Sequence, residues 1–185
     1  MKERVILLKK LIIILGDLAS GKSTLARVIA NKLNSLCLVK DDIKELLGDR
    51  IGFHNRDENL KLSQATFDIM KYVVRQFPST ASSIVLESNF RPYEIKELNA
   101  LSVELSFEVY MIVLTGDPEV LYTRYVSRNP ERHIVHQSVG LVDRQKFFDS
   151  LIKLDEYHFS QNSIVLNTTN FTNLNLPKIL KFLNE

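Results

Sequence analysis

The residues with the clearest chemistry lie near the start of the chain, in the stretch ILGDLASGKSTLA. Gly16 and Gly21 are separated by four residues, and Lys22 and Ser23 follow directly. An apolar run precedes the motif and a helical pattern follows it, which is the context of a phosphate-binding P-loop. In such a loop consecutive N–H groups converge on an anion, and the positive end of the helix adds to the attraction.

The residue types in this loop predict a nucleotide site and a metal site. Lys22 can reach the β- and γ-phosphates of ATP, and the Ser23 hydroxyl suits Mg²⁺, which prefers oxygen ligands. The alternative is a chance Gly-Lys-Ser in a loop. From the roles of Lys22 and Ser23 in such a loop, we expect ATP and Mg²⁺ as cofactors, with the metal at Ser23. Asp17 is expected to face solvent or a donor on a second substrate. The expected nucleotide contacts within the loop are Gly16, Asp17, Ala19, Ser20, Gly21, Lys22, Ser23 and Thr24.

Carboxylates follow the next two apolar runs. Asp41 and Asp42 stand in VKDDIKELLGD, where one of them should face the γ-phosphate as the base that accepts the proton of an attacking hydroxyl. The alternative is that the pair supplies the N-cap and first-turn charge of a helix. In IVLESNFRP, Glu87 could bind the acceptor or a water on Mg²⁺, or could simply lead into a turn with Asn89.

Three arginines recur in the stretch TGDPEVLYTRYVSRNPERHIVHQ. Arg124, Arg128 and Arg132 are four residues apart, so they share one helical face as far as the helix runs. This face favours a lid over a triphosphate, because the planar guanidinium fits charge on transferring phosphoryl oxygens. A solvated basic face is the alternative. His133 and His136 match no zinc pattern and are expected to pack in the lid or to meet the acceptor.

The elements that position these residues alternate between short apolar runs and longer helical patterns. Strands that are apolar nearly throughout are typical of a parallel sheet buried on both faces. We predict an α/β, three-layer P-loop NTPase fold with a five-stranded, mostly parallel sheet, helices on both faces, and a site beyond the strand ends. The predicted strands are Leu11–Leu15, Leu36–Val39, Ser83–Glu87, Phe107–Leu114 and Ser163–Leu166. The predicted helices are Lys22–Leu33, Asp57–Phe77 (ended by Pro78), Arg91–Glu104, Asp117–Arg128, Asp143–Tyr157 and Asn173–Leu183.

The length of 185 residues indicates one domain, 1–185, with a small lid around 124–140. The composition is that of a soluble globular protein, and the formal charge of +2 gives no reason to expect a nucleic-acid or membrane partner. Lys9 and Lys10 divide the first apolar run into pieces too short for a signal peptide or a membrane span. The single cysteine, Cys37, is expected to fill the core, and a cytoplasmic location fits a chain without a disulfide. The oligomeric state is not readable.

Four motifs in order carry a family resemblance: GDLASGKST, VKDDIK, VLESNF and DPEVLYTRYVSRNPERH. Together they resemble the small P-loop kinases that include the polynucleotide kinase domain, zeta toxin and chloramphenicol phosphotransferase. The most similar group is that of uncharacterised AAA-domain predicted kinases. The resemblance runs from Leu11 to His136 and implies an ATP-dependent kinase that phosphorylates a hydroxyl of a small molecule or nucleotide-like acceptor. The alternatives are an ATP hydrolase or switch without a dedicated acceptor, and a zeta-toxin-like kinase of a sugar nucleotide.

The resemblance also implies roles for single residues. Polynucleotide kinase has Asp-Asp-x-Arg in the second motif, with the first Asp as the base, which implies that Asp41 is the base here. Lys44 stands where the family often has Arg, and the loss of bidentate phosphate contact makes a nucleic-acid end a disfavoured acceptor. The implied catalytic residues are Lys22, Asp41 and Arg128. The implied acceptor residues are Asp42, Lys44, Glu87, Asn89 and Arg132. The resemblance also implies that Arg124 and Arg128 contact the phosphates and that Thr168 to Asn170 contact the adenine.

Overall fold

A computed structural model describes residues 9–77, 83–137 and 141–184, in which five strands form one all-parallel sheet of order β2-β3-β1-β4-β5. The predicted α/β P-loop fold is confirmed, although the sheet is wholly rather than mostly parallel. The strands are β1 (Lys9–Gly16), β2 (Leu36–Val39), β3 (Ser83–Glu87), β4 (Phe107–Thr115) and β5 (Asn162–Asn167). The helices are α1 (Lys22–Leu33), α2 (Lys40–Ile51), α3 (Arg56–Arg75), α4 (Pro92–Leu105), α5 (Pro118–Arg128), α6 (Arg144–Asp149) and α7 (Leu176–Phe182).

Strand β1 is the centre of the molecule. Its residues Leu11 to Leu15 are fully buried. Successive side chains of a strand point to opposite faces, so the odd-numbered residues of β1 pack with α3 and α4, and the even-numbered residues pack with α1 and α7. The piece of the apolar N-terminal run from Leu11 to Leu15 is therefore a core strand. Cys37 of β2 is half-buried and packs against the apolar cluster on the α1 side of the sheet.

The register of the sheet brings several strand ends to one edge. Ile14 of β1 pairs with Glu87 at the end of β3, and Gly16 pairs with Leu114 near the end of β4. Gly16 has a φ of 134°, and a Cβ atom there would lie 2.0 Å from the Leu114 carbonyl oxygen. Glycine is thus required where the chain leaves β1 and passes against β4.

Two predicted helices differ from the structure, and one helix was not among those predicted. The predicted helix over 143–157 is only the short α6, because the chain then turns and the Ile152 N–H donates to the Asp17 carboxylate. The predicted last helix begins later, as α7, after a short 3₁₀ turn. The predictions at residues 1–8, at Pro78 and at 138–140 of the lid lie outside the described residues. Within the described ranges, every helix is either too short or too polar to span a lipid bilayer.

Helix α2 was expected only under the alternative interpretation of Asp41 and Asp42, because it begins directly at the end of β2 with a charged stretch. Val39 occupies its N-cap without a side-chain hydrogen bond, so neither Asp41 nor Asp42 caps it, and both supply first-turn negative charge. The contacts of its first residue, Lys40, explain where helix α2 lies. Lys40 forms an ion pair with Glu94 of α4, and the two side chains are 9% and 4% exposed. This buried pair holds the start of α2 against α4.

Replacing Lys40 by methionine should destabilise the fold by about 3–5 kcal/mol, because the Glu94 carboxylate would then be buried without its counterion. The free energy of unfolding, measured with urea, checks this. The matched control is Arg75→Gln, which removes the exposed Arg75–Glu104 pair and should cost no more than about 1 kcal/mol. Equal losses in the two variants would contradict the anchoring role of Lys40.

Candidate active site

The loop between β1 and α1 closes on itself through the carbonyl oxygen of Asp17. The Lys22 ammonium donates to this oxygen at 2.6 Å, and the Ser20 hydroxyl donates to it at 2.7 Å. Ala19 has a φ of 59° and Gly21 a φ of 87°, both in the left-handed region. Alternation of this kind is how successive N–H groups come to face a common anion.

Gly21 is required by a neighbour as well as by its φ. A Cβ atom at this position would lie 2.3 Å from the ring of Phe171, which follows β5. The loop is therefore packed from the β5 side and from β4 at Gly16. Its residues Gly21, Lys22, Ser23 and Thr24 line a cavity of about 170 Å³, which we call the loop cavity.

Ser23 lies opposite a carboxylate in the loop cavity. Its hydroxyl donates to Glu87 Oε2 at 2.9 Å, across the junction of α1 and β3. Glu87 is 4% exposed. A hydroxyl and a carboxylate at this distance are oxygen donors of the kind that Mg²⁺ takes, directly or through retained waters. The residues present thus fit a metal beside the loop, with Glu87 as the partner of Ser23.

Burial shifts the pKa values of Lys22 and Glu87. It lowers the pKa of Lys22, and the negative charges of Glu87, Asp41 and Asp17 partly offset this. Burial also raises the pKa of Glu87, against the attraction of Lys22 and the Ser23 hydrogen bond. Because Lys22 and Glu87 are buried, their electrostatic interactions with a ligand are stronger than they would be in bulk water.

Asp17 does not face solvent, contrary to the expectation from the sequence. It is 5% exposed, and its Oδ1 accepts a hydrogen bond from the Ile152 N–H at 2.7 Å. Burial raises the pKa of this carboxyl, while the Ile152 N–H and the charge of Lys22 act in the opposite direction. The side chain of Asp17 thus fixes the loop to the segment that follows α6.

The structure separates Asp41 from Asp42. Both carboxylate oxygens of Asp42 accept hydrogen bonds from one guanidinium nitrogen of Arg27, at 2.9 and 2.6 Å. This pair lies on the exposed flank of α1 and α2. Asp41 instead lines the loop cavity together with Lys22 and Arg128. Of the two carboxylates, Asp41 is the one that faces the phosphate loop.

The three arginines have different surroundings. Arg128 and Arg132 line the loop cavity, and the Arg132 guanidinium lies 5.6 Å from the centre of the Tyr125 ring. Arg124 donates to the carbonyl oxygens of Thr168 and Thr169, at 2.8 and 2.7 Å. Arg124 thus connects α5 to the loop after β5, the segment implied at the adenine, and does not line the loop cavity.

The chain after α5 packs on α2 through two histidines. His133 Nε2 lies 2.9 Å from Asp49, and His136 Nε2 lies 2.9 Å from Glu45. Between them, Val135 is fully buried. His136 Nδ1 is also 3.9 Å from Asp41, so this segment borders the candidate base. No group of three or more metal-binding side chains is found within the described ranges.

A second cavity, of about 330 Å³, lies between α2, α3 and α4 and is called the side cavity below. Asp41, Ser88 and Asn89 line both cavities, so the two spaces meet at these residues. The Lys44 ammonium in the side cavity donates to the Asn59 amide oxygen at 2.7 Å. The side cavity is further lined by Lys40, Leu60, Ser63, Gln64, Arg91, Tyr93 and Glu94.

Comparison with known proteins identifies the family. A family described as AAA domain matches residues 12–139. This chain belongs to that AAA-domain family. Its P-loop implies that it binds a nucleotide. Among curated proteins, none matches the sequence.

Solved structures share the fold of this AAA-domain protein. A candidate kinase from Chloroflexus aurantiacus j-10-fl has 21% identity and a TM-score of 0.81, covering 95% of this chain and 97% of that one. A sugar kinase from Janibacter sp. HTCC2649 has 17% identity and a TM-score of 0.62, covering 96% and 95%. A gluconokinase from Sinorhizobium meliloti 1021 has 12% identity and a TM-score of 0.55, covering 97% and 90%. At these identities the likeness shows the fold.

Several residues of the two cavities were not among those predicted. Arg91 follows β3 closely, so the rule that ligands lie beyond strand ends could have found it. Ser63 and Gln64 lie in the middle of α3 and carry no signal in the sequence. Tyr125 was within a predicted helix, but only the packing of α5 shows that its ring borders the loop cavity.

The raised pKa of Asp17 predicts a pH-dependent effect of Asp17→Asn. Because the folded-state pKa lies above the unfolded value, ionisation of Asp17 costs stability above the folded pKa and nothing below the unfolded one. The variant, which keeps an acceptor for the Ile152 N–H, should be more stable than the parent at pH 7. This gain should disappear on acidification below about pH 4.

Urea unfolding across that pH range measures the effect. Asp155→Asn, at an exposed carboxylate without an ion pair in the described ranges, is the matched control and should show no such gain. A gain that persists in acid would show that the benefit is unrelated to the charge of Asp17.

Proposed function

We propose that this AAA-domain protein is an ATP-dependent kinase that transfers the γ-phosphate of ATP to a hydroxyl of a small molecule. The observation that carries the proposal is the position of Asp41, which lines both the loop cavity and the side cavity. A base at the junction of two cavities can meet a nucleotide on one side and an acceptor on the other. Hydrolysis alone needs no second cavity.

The residues of the loop cavity suit the charge of a triphosphate. Lys22 and Arg128 both line this cavity and supply positive charge from two elements, the loop and the end of α5. Ser23 and Glu87 would hold Mg²⁺, which when bound supplies charge neutralisation at the phosphates. Phosphoryl transfer depends mostly on positioning and on such electrostatic stabilisation.

Asp41 would act on the acceptor. Its carboxylate accepts the proton of the acceptor hydroxyl, whose oxygen forms a bond to the γ-phosphorus while the bond from that phosphorus to the bridging oxygen of ADP breaks. The products are ADP and a phosphate monoester, and the proton leaves through Asp41. Because the Asp41 side chain is 60% exposed, the released proton can pass to water.

The structural relatives support a small acceptor. Two of the proteins that share the fold are named as a sugar kinase and a gluconokinase. A side cavity of about 330 Å³ is in the size range of small-molecule sites. A sugar or a sugar acid is therefore the first acceptor class to test, ahead of a nucleic-acid end or a sugar nucleotide.

Asp41→Asn should lower the rate of phosphoryl transfer by about 10²–10⁴-fold, because the amide cannot accept the proton. Its affinity for ATP should change little. The measurement is ADP production with and without a panel of hydroxylated acceptors, together with direct nucleotide binding. Asp42→Asn is the matched control, since Asp42 is bonded to Arg27, and should keep most of the activity.

Two outcomes contradict this assignment. If Asp42→Asn abolishes transfer and Asp41→Asn does not, the base is the neighbouring residue. If ATP turnover by the parent protein is the same with every acceptor, the protein is a hydrolase or a switch.

Arg128→Ala should lower the turnover number by about 10³–10⁵-fold, as expected when an arginine that stabilises the transferring phosphoryl group is removed. Arg128→Lys should recover only part of this loss, because a lysine cannot form the planar two-point contact. Arg124→Ala serves as the comparison. It should weaken nucleotide binding through the loop after β5 more than it slows turnover. The two arginine positions would be misassigned if their effects were reversed.

A further inference from the structure

The charges that line the side cavity do not balance. Three cations, Lys40, Lys44 and Arg91, face two carboxylates, Asp41 and Glu94. Lys40 and Glu94 neutralise each other in the buried ion pair. Two positive charges, those of Lys44 and Arg91, then remain in the lining against the single negative charge of Asp41.

Among the described residues, Lys44 and Arg91 are each without a carboxylate partner. The Lys44 ammonium donates to the neutral amide oxygen of Asn59, at 2.7 Å. Within the part of the chain that the structure describes, no carboxylate lies within ion-pair distance of Lys44 or of the Arg91 side chain. Burial lowers the pKa of Lys44, with Asp41 in part opposing this, so an anion beside Lys44 would relieve an existing cost.

The remaining lining suits a hydroxylated carbon skeleton. Ser63, Gln64 and Asn89 offer hydroxyl and amide groups that can both donate and accept hydrogen bonds. Leu60 and Tyr93, which are 40% and 50% exposed, give the cavity an apolar side. A mixture of apolar surface and a few polar groups is the usual lining of a small-molecule site.

Resting on the proposed function, we propose that the acceptor is a polyhydroxylated small molecule that carries an acidic group. Lys44 and Arg91 bind the carboxylate or phosphate of this acceptor in the side cavity, and a hydroxyl of the same molecule lies at Asp41. The acidic group thereby supplies the negative charge that the lining lacks, and it orients the molecule relative to the loop cavity. Neutral sugars lack this contact and bind less tightly.

Binding can be tested separately from catalysis, with the full chain saturated with Mg²⁺ and a non-hydrolysable ATP analogue so that the loop cavity is filled. The probes are two matched pairs: D-gluconate against D-glucitol, and glucose 6-phosphate against glucose. Amide NMR shifts of Leu60, Ser63 and Gln64, which line the side cavity and not the loop cavity, report binding there. We expect the anionic member of at least one pair to bind there about tenfold more tightly than its neutral counterpart, as a charged hydrogen bond would give.

Two variants test whether Lys44 and Arg91 bind the acidic group of the probe. Lys44→Gln and Arg91→Gln should each weaken binding of the anionic probe by about tenfold, with the affinity for the ATP analogue unchanged. Lys96→Gln, at an exposed lysine of α4 outside the cavity, is the matched control and should bind as the parent does. An unchanged thermal unfolding midpoint in each variant shows that the fold is intact.

The outcomes distinguish the two sources of the acidic group. Binding of gluconate alone indicates a carboxylate acceptor, binding of glucose 6-phosphate alone indicates a phosphorylated one, and binding of both supports the shared anion site. Equal binding of charged and neutral probes overturns the inference, as does binding that is insensitive to both variants or absent for both anions. Shifts confined to Arg128 and Arg132 would place the anion elsewhere and also overturn it.

A transfer assay with the same four compounds separates this inference from the proposed function. If neutral sugars are phosphorylated as efficiently as their acidic partners, the protein is a kinase and the anion site is wrong. If the anions bind in the side cavity but ATP is hydrolysed at one rate with all four compounds, the anion site stands and the proposed transfer fails.

Discussion

The shared edge of the parallel strands is the constraint on which the site depends. Since Ile14 pairs with Glu87 and Gly16 pairs with Leu114, the end of β3 lies beside the loop that leaves β1. This alignment brings the Ser23 hydroxyl and the Glu87 carboxylate to 2.9 Å, although 64 residues separate them in the sequence. The close approach of Gly16 to β4 fixes the alignment, because a shift of one residue would bring a side chain to the position where a Cβ atom would lie 2.0 Å from the Leu114 carbonyl oxygen.

The second requirement is the position of α2. It begins without a linker after β2, and its first residue is held to α4 by the buried Lys40–Glu94 pair. Asp41 follows Lys40 directly and so lies where the loop cavity and the side cavity meet. The segment with His133 and His136 packs on the outer part of the same helix. Helix α2 thus carries the anchoring Lys40, the candidate base Asp41 and the two carboxylates that hold the histidine segment.

Much of this arrangement could be predicted from the sequence, because the strands are apolar throughout and the motif at Gly16 to Ser23 is specific. The strands β2 and β3 and the helix α1 match their predicted bounds. Long-range packing could not be predicted. Asp17 is turned inward by the Ile152 N–H, 135 residues away, and Arg124 is drawn to carbonyl oxygens after β5. Lys44 and Asn89, which were implied as acceptor residues, do line the side cavity, but the rest of its lining comes from three helices and the loop after β3 and could not be assembled from short-range patterns.

If the proposed function holds, Asp41 directs the γ-phosphate to an acceptor hydroxyl rather than to water. The most direct test is to follow ATP labelled with ³²P in its γ-phosphate, in the presence of the protein and a small-molecule extract, and to separate organic phosphate from inorganic phosphate. We expect label to enter an organic phosphate monoester with the parent protein and not with Asp41→Asn. Label found solely in inorganic phosphate, with or without the extract, would contradict this expectation.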